Sequence, residues 1–193
     1  MKRIALLGSL LISIFSSSLF AQNSHISESW GGYITQIRLN DRFSIWNDAH
    51  FVPYNFFIHR HGMSYHFKNG ARLSGGYAHL YQAPPLGGGF DRDEMRPWWQ
   101  IQHSLPLTKK WSLGLRFRHD MRFREQIVSG IVNEDTFLFN HRFRLLTNFR
   151  LFLPNKNPAY RLHLNFRNEY HHDIGADVHN GMNQNRTALM LGI

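Results

Sequence analysis

Cysteine is absent from the 193-residue chain. Without a thiol there is no disulfide framework and no cysteine to carry an N-terminal lipid anchor. Long apolar runs are missing too. The longest, Ile4 to Phe15, is shorter than the ~20 residues a spanning helix needs, so any membrane crossing has to be made by strands. Acidic residues are scarce, 13 against 22 Lys and Arg, leaving a net charge of +9. Such a balance ordinarily points to nucleic acid. Here the arginines alternate with apolar residues instead of clustering on one loop or helix, and no nucleic-acid partner is expected. No segment carries a persuasive helical period.

The N-terminus reads as a secretion signal. Lys2 and Arg3 supply the charged start, Ile4 to Phe15 the apolar core, and Ser16-Ser17-Ser18 lead to Ala21 at the expected cut. Residues 1–21 are read as a signal peptide and 22–193 as one domain.

Residues 111–124 carry the strongest pattern. Trp111, Leu113, Leu115, Phe117, Met121 and Phe123 fall on one face of an extended strand. Ser112, Gly114, Arg116, Arg118, Asp120, Arg122 and Arg124 fall on the other. A helix would mix the two sets around its circumference. The stretch is about twice the usual length of a globular strand, and it suits a tilted bilayer crossing of ~9–11 residues. The same phase holds in 137–153, where Phe137, Phe139, Phe143, Leu145, Phe149, Leu151 and Leu153 oppose Asn140, Arg142, Arg144, Asn148 and Arg150. It holds again in 159–172, where Tyr160, Leu162, Leu164, Phe166 and Tyr170 oppose Arg161, His163, Asn165, Arg167, Glu169 and His171. A one-residue slip inverts a whole wall, and an arginine turned into lipid costs about 2–4 kcal/mol near the midplane.

Nine strands are expected, over 30–39, 43–51, 55–67, 71–82, 96–107, 111–125, 137–153, 159–172 and 185–193. Asn40-Asp41, Lys68-Asn69-Gly70, Thr108-Lys109-Lys110 and Pro154 to Pro158 mark short turns, Asn69-Gly70 being the strongest hairpin signal. The connections 83–95 (with Pro84-Pro85 and Gly87-Gly88-Gly89), 126–136 and 173–184 read as longer loops. Short turns on one rim and long loops on the other describe an up-and-down barrel.

A soluble sandwich alternates in the same way. The strand lengths, the leader and two aromatic girdles favour an outer-membrane barrel. The girdles are read as Tyr65, Phe67, Trp111 and Tyr160 at the short-turn rim, and Tyr54, Tyr81, Trp98, Trp99 and Tyr170 at the other. Counted from Trp30, the N-terminus falls at the long-loop rim, so the loop orientation stays open. Single-chain bacterial barrels have an even strand number, so about ten strands are expected, with the C-terminus truncated.

The order of short motifs resembles a known family. These are Trp30-x-x-Tyr33, Tyr65-x-x-x-x-Gly70, Gly75-Gly76-Tyr77, Glu94-Met95-Arg96-Pro97-Trp98-Trp99-Gln100 and Asn183-Gln184-Asn185-Arg186-x-x-x-x-x-Gly192. Together they resemble the bacterial outer-membrane β-barrels grouped as domain of unknown function 2490. The resemblance implies a barrel in the bacterial outer membrane and one further strand beyond this C-terminus. It brings no activity and no catalytic residues.

The candidate ligand-binding residues form a cationic wall of Arg116, Arg118, Arg122, Arg142, Arg144, Arg161 and Arg167, with Asp120 and Glu169 among them. Arg124 and Arg150 share its face, and Asp48, Glu94 and Glu134 are candidate partners. A guanidinium is always charged and its fork fits carboxylate or phosphate. Such a wall either packs a small interior with bridged guanidiniums or lines a path or site for an anionic small ligand. His59-x-His61 and His171-His172-Asp173 lack a convergent third ligand, so neither metal nor cofactor is expected. Ser64, Ser104 and Ser112 lie near His66 or His103, but no oriented base or oxyanion hole is marked. The leading expectation is a non-enzymatic outer-membrane barrel, structural or a narrow anion or ligand path. Its partners are membrane lipid and the barrel-insertion machinery. A lipid-modifying enzyme and a soluble periplasmic ligand-binding barrel are the alternatives.

Overall fold

The structure, a computed structural model, describes residues 29, 31–53, 55–82, 91–154, 161–175, 178 and 181–192. Nine strands are present: β1 (Gly31–Arg38), β2 (Phe43–Val52), β3 (Phe56–His66), β4 (Arg72–Gln82), β5 (Arg92–Pro106), β6 (Trp111–Val128), β7 (Ile131–Phe152), β8 (His163–Gly175) and β9 (Met182–Gly192). They form one antiparallel up-and-down sheet in chain order, with no helix among the described residues. The sheet curls into a half-barrel, so that Ile34 of β1, Trp46 of β2, Arg116 of β6 and Arg186 of β9 line one cavity. The expected leader, Trp30, Tyr54, the run 87–89 and Tyr160 lie outside the described residues.

The strand set agrees with the sequence reading, and several boundaries differ, β8 starting at His163 rather than 159 and β9 at Met182 rather than 185. β5 starts at Arg92 rather than 96. β8 runs on to Gly175, which puts Asp173 inside a strand instead of a loop. The expected loop 126–136 is instead the top of a β6–β7 hairpin, with strands of 18 and 22 residues. Ser129 (φ 52°) and Gly130 (φ 80°) make its two-residue turn. Both turn positions need φ > 0, and Ile127-Val128 and Ile131-Val132 are β-branched on either side. The residues 134–136 are absorbed by a register shift opposite Glu125/Gln126, a bulge that lengthens one strand without breaking the ladder. The rims are therefore not cleanly short and long.

Alternation sorts the two faces as the sequence predicts, and the burial is reversed from that of a water-soluble domain. Among the described residues sixteen polar or charged side chains are buried against seven apolar ones, where soluble proteins bury mainly the latter. Met63, Leu73, Tyr77, Trp99, Ile101, Phe139, Leu145 and Phe166 are exposed on the outer face. Aromatic rings tile part of that face: Trp99 lies 5.5 Å from Phe117, and Phe117 lies 6.0 Å from Phe143. At the β3–β4 turn, Tyr65 packs on Phe43 and Phe67 at 5.2 and 4.9 Å. Trp98 is not part of an outer girdle. It is 2 % exposed and lies on the inner face, because its neighbour Trp99 takes the outer one. Imidazoles also punctuate the outer face, with His59 close to His61 and His79, and His119 bonded to His141 at 2.9 Å.

One close packing is set by glycines. Trp46, Gly62, Gly76 and Trp98 occupy one register row across β2 to β5. The two indoles, with two strands between them, meet edge to face at 6.4 Å over the gap left by two residues without side chains. A carbon added at Gly62 would press on the Gly75 carbonyl and the Trp98 ring, and one at Gly76 would strike the His61 carbonyl. Ile58, Ala78, Leu80 and Trp98 form a small apolar cluster beneath, with Trp46 and Phe56 packed against it.

Gly76→Ala is expected to destabilise the fold by about 2 kcal/mol or more, because the obstacle is backbone. Gly75→Ala, whose added carbon meets nothing nearer than 3.4 Å, is the control and should change little. Urea titration of the purified chain measures both, and equal effects would contradict the packing account.

Candidate functional site

The repeat Leu115-Arg116-Phe117-Arg118 and its continuation aim every second side chain of β6 to the inner face. Its neighbours answer in register. Arg118 stands opposite Arg144, which stands opposite His171. One row further on, Asp120 faces Arg142, which faces Asp173. Like charges directly opposite each other destabilise a sheet. Carboxylates on adjacent rows relieve that repulsion by reaching diagonally to the guanidiniums.

Five acids hold the array. Glu94 accepts from Arg96 Nε and Nη2 at 2.6 and 3.0 Å, and from both Nε and Nη2 of Arg122. Asp173 accepts the Arg142 fork at 2.7 and 2.8 Å and is reached by Arg122 at 3.3 Å. Asp120, fully buried, accepts from Arg118 at 2.8 Å and lies 2.9 Å from Arg144. Glu169 accepts from Arg116 at 2.6 Å and more loosely from Arg167 at 3.4 Å, with His171 3.6 Å away. Asp48 accepts from Arg60 Nε and from the Trp46 indole, both at 2.6 Å. The paired forks are the strong form of this contact. Arg118 also lies 4.5 Å above the Trp98 ring, a cation–π position.

Eight of the nine sequence-derived site residues thus come together. Arg161 does not: it precedes β8, is exposed, and its guanidinium covers the Phe152 ring at 4.4 Å. The exposed Glu134 near the hairpin tip takes no part in the array. Arg60, Arg96 and Asp173 were missed. For Arg60 and Arg96 the signal was present, since each sits in phase with an inner-face residue of its own strand. Lys68, Lys109 and Lys110 all lie in turns, so the inner charge is carried by the residue type whose fork can bridge two acids.

A cavity of about 460 Å³ opens between the two parts of the inner face. Trp46, Phe56, Ile58 and Leu80 form one side, and guanidiniums of β6 to β9 form the other. A Ser–His contact does exist on this face, between Ser44 Oγ and His66 Nε2 at 2.8 Å. Gln36, not a carboxylate, approaches that ring, and Ser44 is fully buried. Ser64 is likewise buried and bonds the Ser74 hydroxyl at 2.7 Å. On the outer face His79 bonds Asp93 at 2.7 Å. Among the described residues no group of three His, Cys, Asp or Glu is placed to hold a metal ion.

A family model described as a protein of unknown function, DUF2490, matches residues 27–193. No curated protein and no solved structure matches the chain.

Glu94→Ala leaves the buried Arg96 without its acid and Arg122 with only its longer contact to Asp173, and should cost about 3–5 kcal/mol, as removal of one partner of a buried ion pair does. Glu94→Gln keeps an acceptor oxygen and should cost less. Urea midpoints of the two variants check this. A wild-type midpoint for Glu94→Ala would show that the array does not hold the fold.

Proposed function

We propose, from the premise that the chain belongs to the DUF2490 family, that it is a bacterial outer-membrane β-barrel. In this reading it is not an enzyme, and its arginine-lined interior takes a small anionic ligand. Residues 1–21 act as the export signal. The barrel-insertion machinery then places the remainder in the membrane, and about ten strands complete the cylinder.

One observation carries the membrane reading: apolar side chains are exposed on the outer face while charged ones are buried on the inner face. In water this arrangement wastes burial on polar groups and leaves a broad aromatic and aliphatic surface uncovered, which soluble monomers avoid. In hydrocarbon it is the stable arrangement. Tyr65, Phe67 and Trp111 suit one interface. Tyr77, Trp99 and Tyr170, interleaved with His61, His119 and His172, suit the other, since rings with a polar tip favour that depth.

Ligand holding is favoured over wide conduction because the interior is largely filled. The ion pairs tie β6 to β8, two strands apart, and leave a cavity of about 460 Å³ rather than a bore the width of a porin. The soluble alternative requires arginines outside and apolar residues inside. The lipid-enzyme alternative requires an accessible serine bonded to a base, and the serine that contacts His66, Ser44, is fully buried.

The test is fractionation followed by gel mobility. The full-length chain should be recovered in outer membranes and run as a compact band unless boiled. Phe117→Arg, which places a charge on the outer face between Ile101 and Leu145, should cost about 2–4 kcal/mol and shift protein out of that band. Recovery of the wild-type chain in the soluble periplasmic extract would overturn the reading.

A further inference from the structure

We infer that the inner cavity is a site for an amphiphilic organic anion, a carboxylate, sulfonate or phosphate head carried on a ring or short acyl body. This deepens the interior-ligand reading above and rests on it. The first observation is a charge surplus. Nine arginines line the cavity, and the carboxylates that line it or brace those arginines are five, Asp48, Glu94, Asp120, Glu169 and Asp173. Among the described residues that is four more positive than negative charges: Glu94, Asp120, Glu169 and Asp173 each serve two guanidiniums, and two of the nine arginines, Arg167 and Arg186, lie at the open side. Buried charge without a counter-charge is unfavourable, so the cavity favours an occupant that brings negative charge.

The second observation is the opposite wall. Trp46, Phe56, Ile58 and Leu80 face the guanidiniums across the same cavity and continue into the apolar cluster around Trp98. An inorganic anion satisfies one wall and leaves the other facing a polar ion. An anion with an apolar body satisfies both. The volume, about 460 Å³, lies in the ~300–1,000 Å³ range of small-molecule sites. Arg167, with 37 % of its side chain exposed, and the exposed Arg186 stand at the open side, where a head group enters. The charge network deeper in stays fixed, because Glu169 keeps Arg116 when Arg167 is removed.

Calorimetric titration of the detergent-solubilised full chain separates the sources of affinity with three probes: naphthalene-2-sulfonate, its neutral analogue naphthalene-2-sulfonamide, and sulfate. The sulfonate is expected to bind at least about tenfold tighter than either of the others. Arg167→Gln, Arg186→Gln and Phe56→Asn should each weaken it about threefold to tenfold while retaining the heat-modifiable band. Sulfate binding as tightly as the sulfonate, with Phe56→Asn silent, would reduce the site to one for inorganic anions and overturn the proposal. Equal binding of the sulfonamide would reduce it to an apolar pocket, and no binding of any probe would remove it. The titration needs only a folded chain. If the protein proves to be water-soluble, the membrane reading fails while this one is still decided by the same three affinities.

Discussion

The pairing of buried guanidinium with buried carboxylate is the interaction on which the rest of this structure depends. Arg122 alone joins Glu94 of β5 to Asp173 of β8, and Arg116 joins β6 to Glu169 of β8. These links cross the concave side of the sheet and hold its curvature where no continuous apolar core exists. Neither member of a pair tolerates the site alone, since an unpaired buried charge is far less favourable than an exposed one. The acids are therefore as essential as the arginines, although the composition makes the arginines conspicuous.

Several features follow from that requirement. Strand register is fixed, because sliding any strand by one residue turns its charges outward. The apolar side chains are displaced to the convex side, where they form a surface that only lipid or another apolar phase covers well. The interior divides into a charged part on β5 to β8 and a smaller aromatic part on β2 to β5, where Trp46 and Trp98 close over Gly62 and Gly76. The cavity lies along that division, and its amphipathic lining is a consequence of the two packing solutions meeting.

Much of this was legible in the chain. The period of two in 111–124 separated Arg116, Arg118, Asp120 and Arg122 from Leu115, Phe117 and Phe123 as the sheet does, and Asn69-Gly70 marked a turn whose glycine has φ 84°. The β6–β7 turn was missed because Asn133-Glu134-Asp135 reads as loop, even though Ile-Val flanks Ser129-Gly130 on both sides. Trp98 was misplaced through neglect of the same alternation, since adjacent tryptophans on one strand must point to opposite faces. Asp173 was a different kind of miss. It lies 51 residues from Arg122 in the chain, and pairing over that distance depends on which strands become neighbours, a property of the sheet topology rather than of any local pattern. The glycine row is non-local in the same sense, being visible only once β2 to β5 are in register.

Single cysteines can be introduced without interference, because the chain has none of its own. Spin labels at Leu115, Phe117, Phe143, Leu145 and Leu164, all outward and outside the charge network, measure the environment of the convex face directly in reconstituted vesicles. The account predicts high collision rates with oxygen and low rates with a water-soluble nickel complex at all five positions. High nickel accessibility at these positions, or shielding from both agents as in a packed protein core, would contradict it.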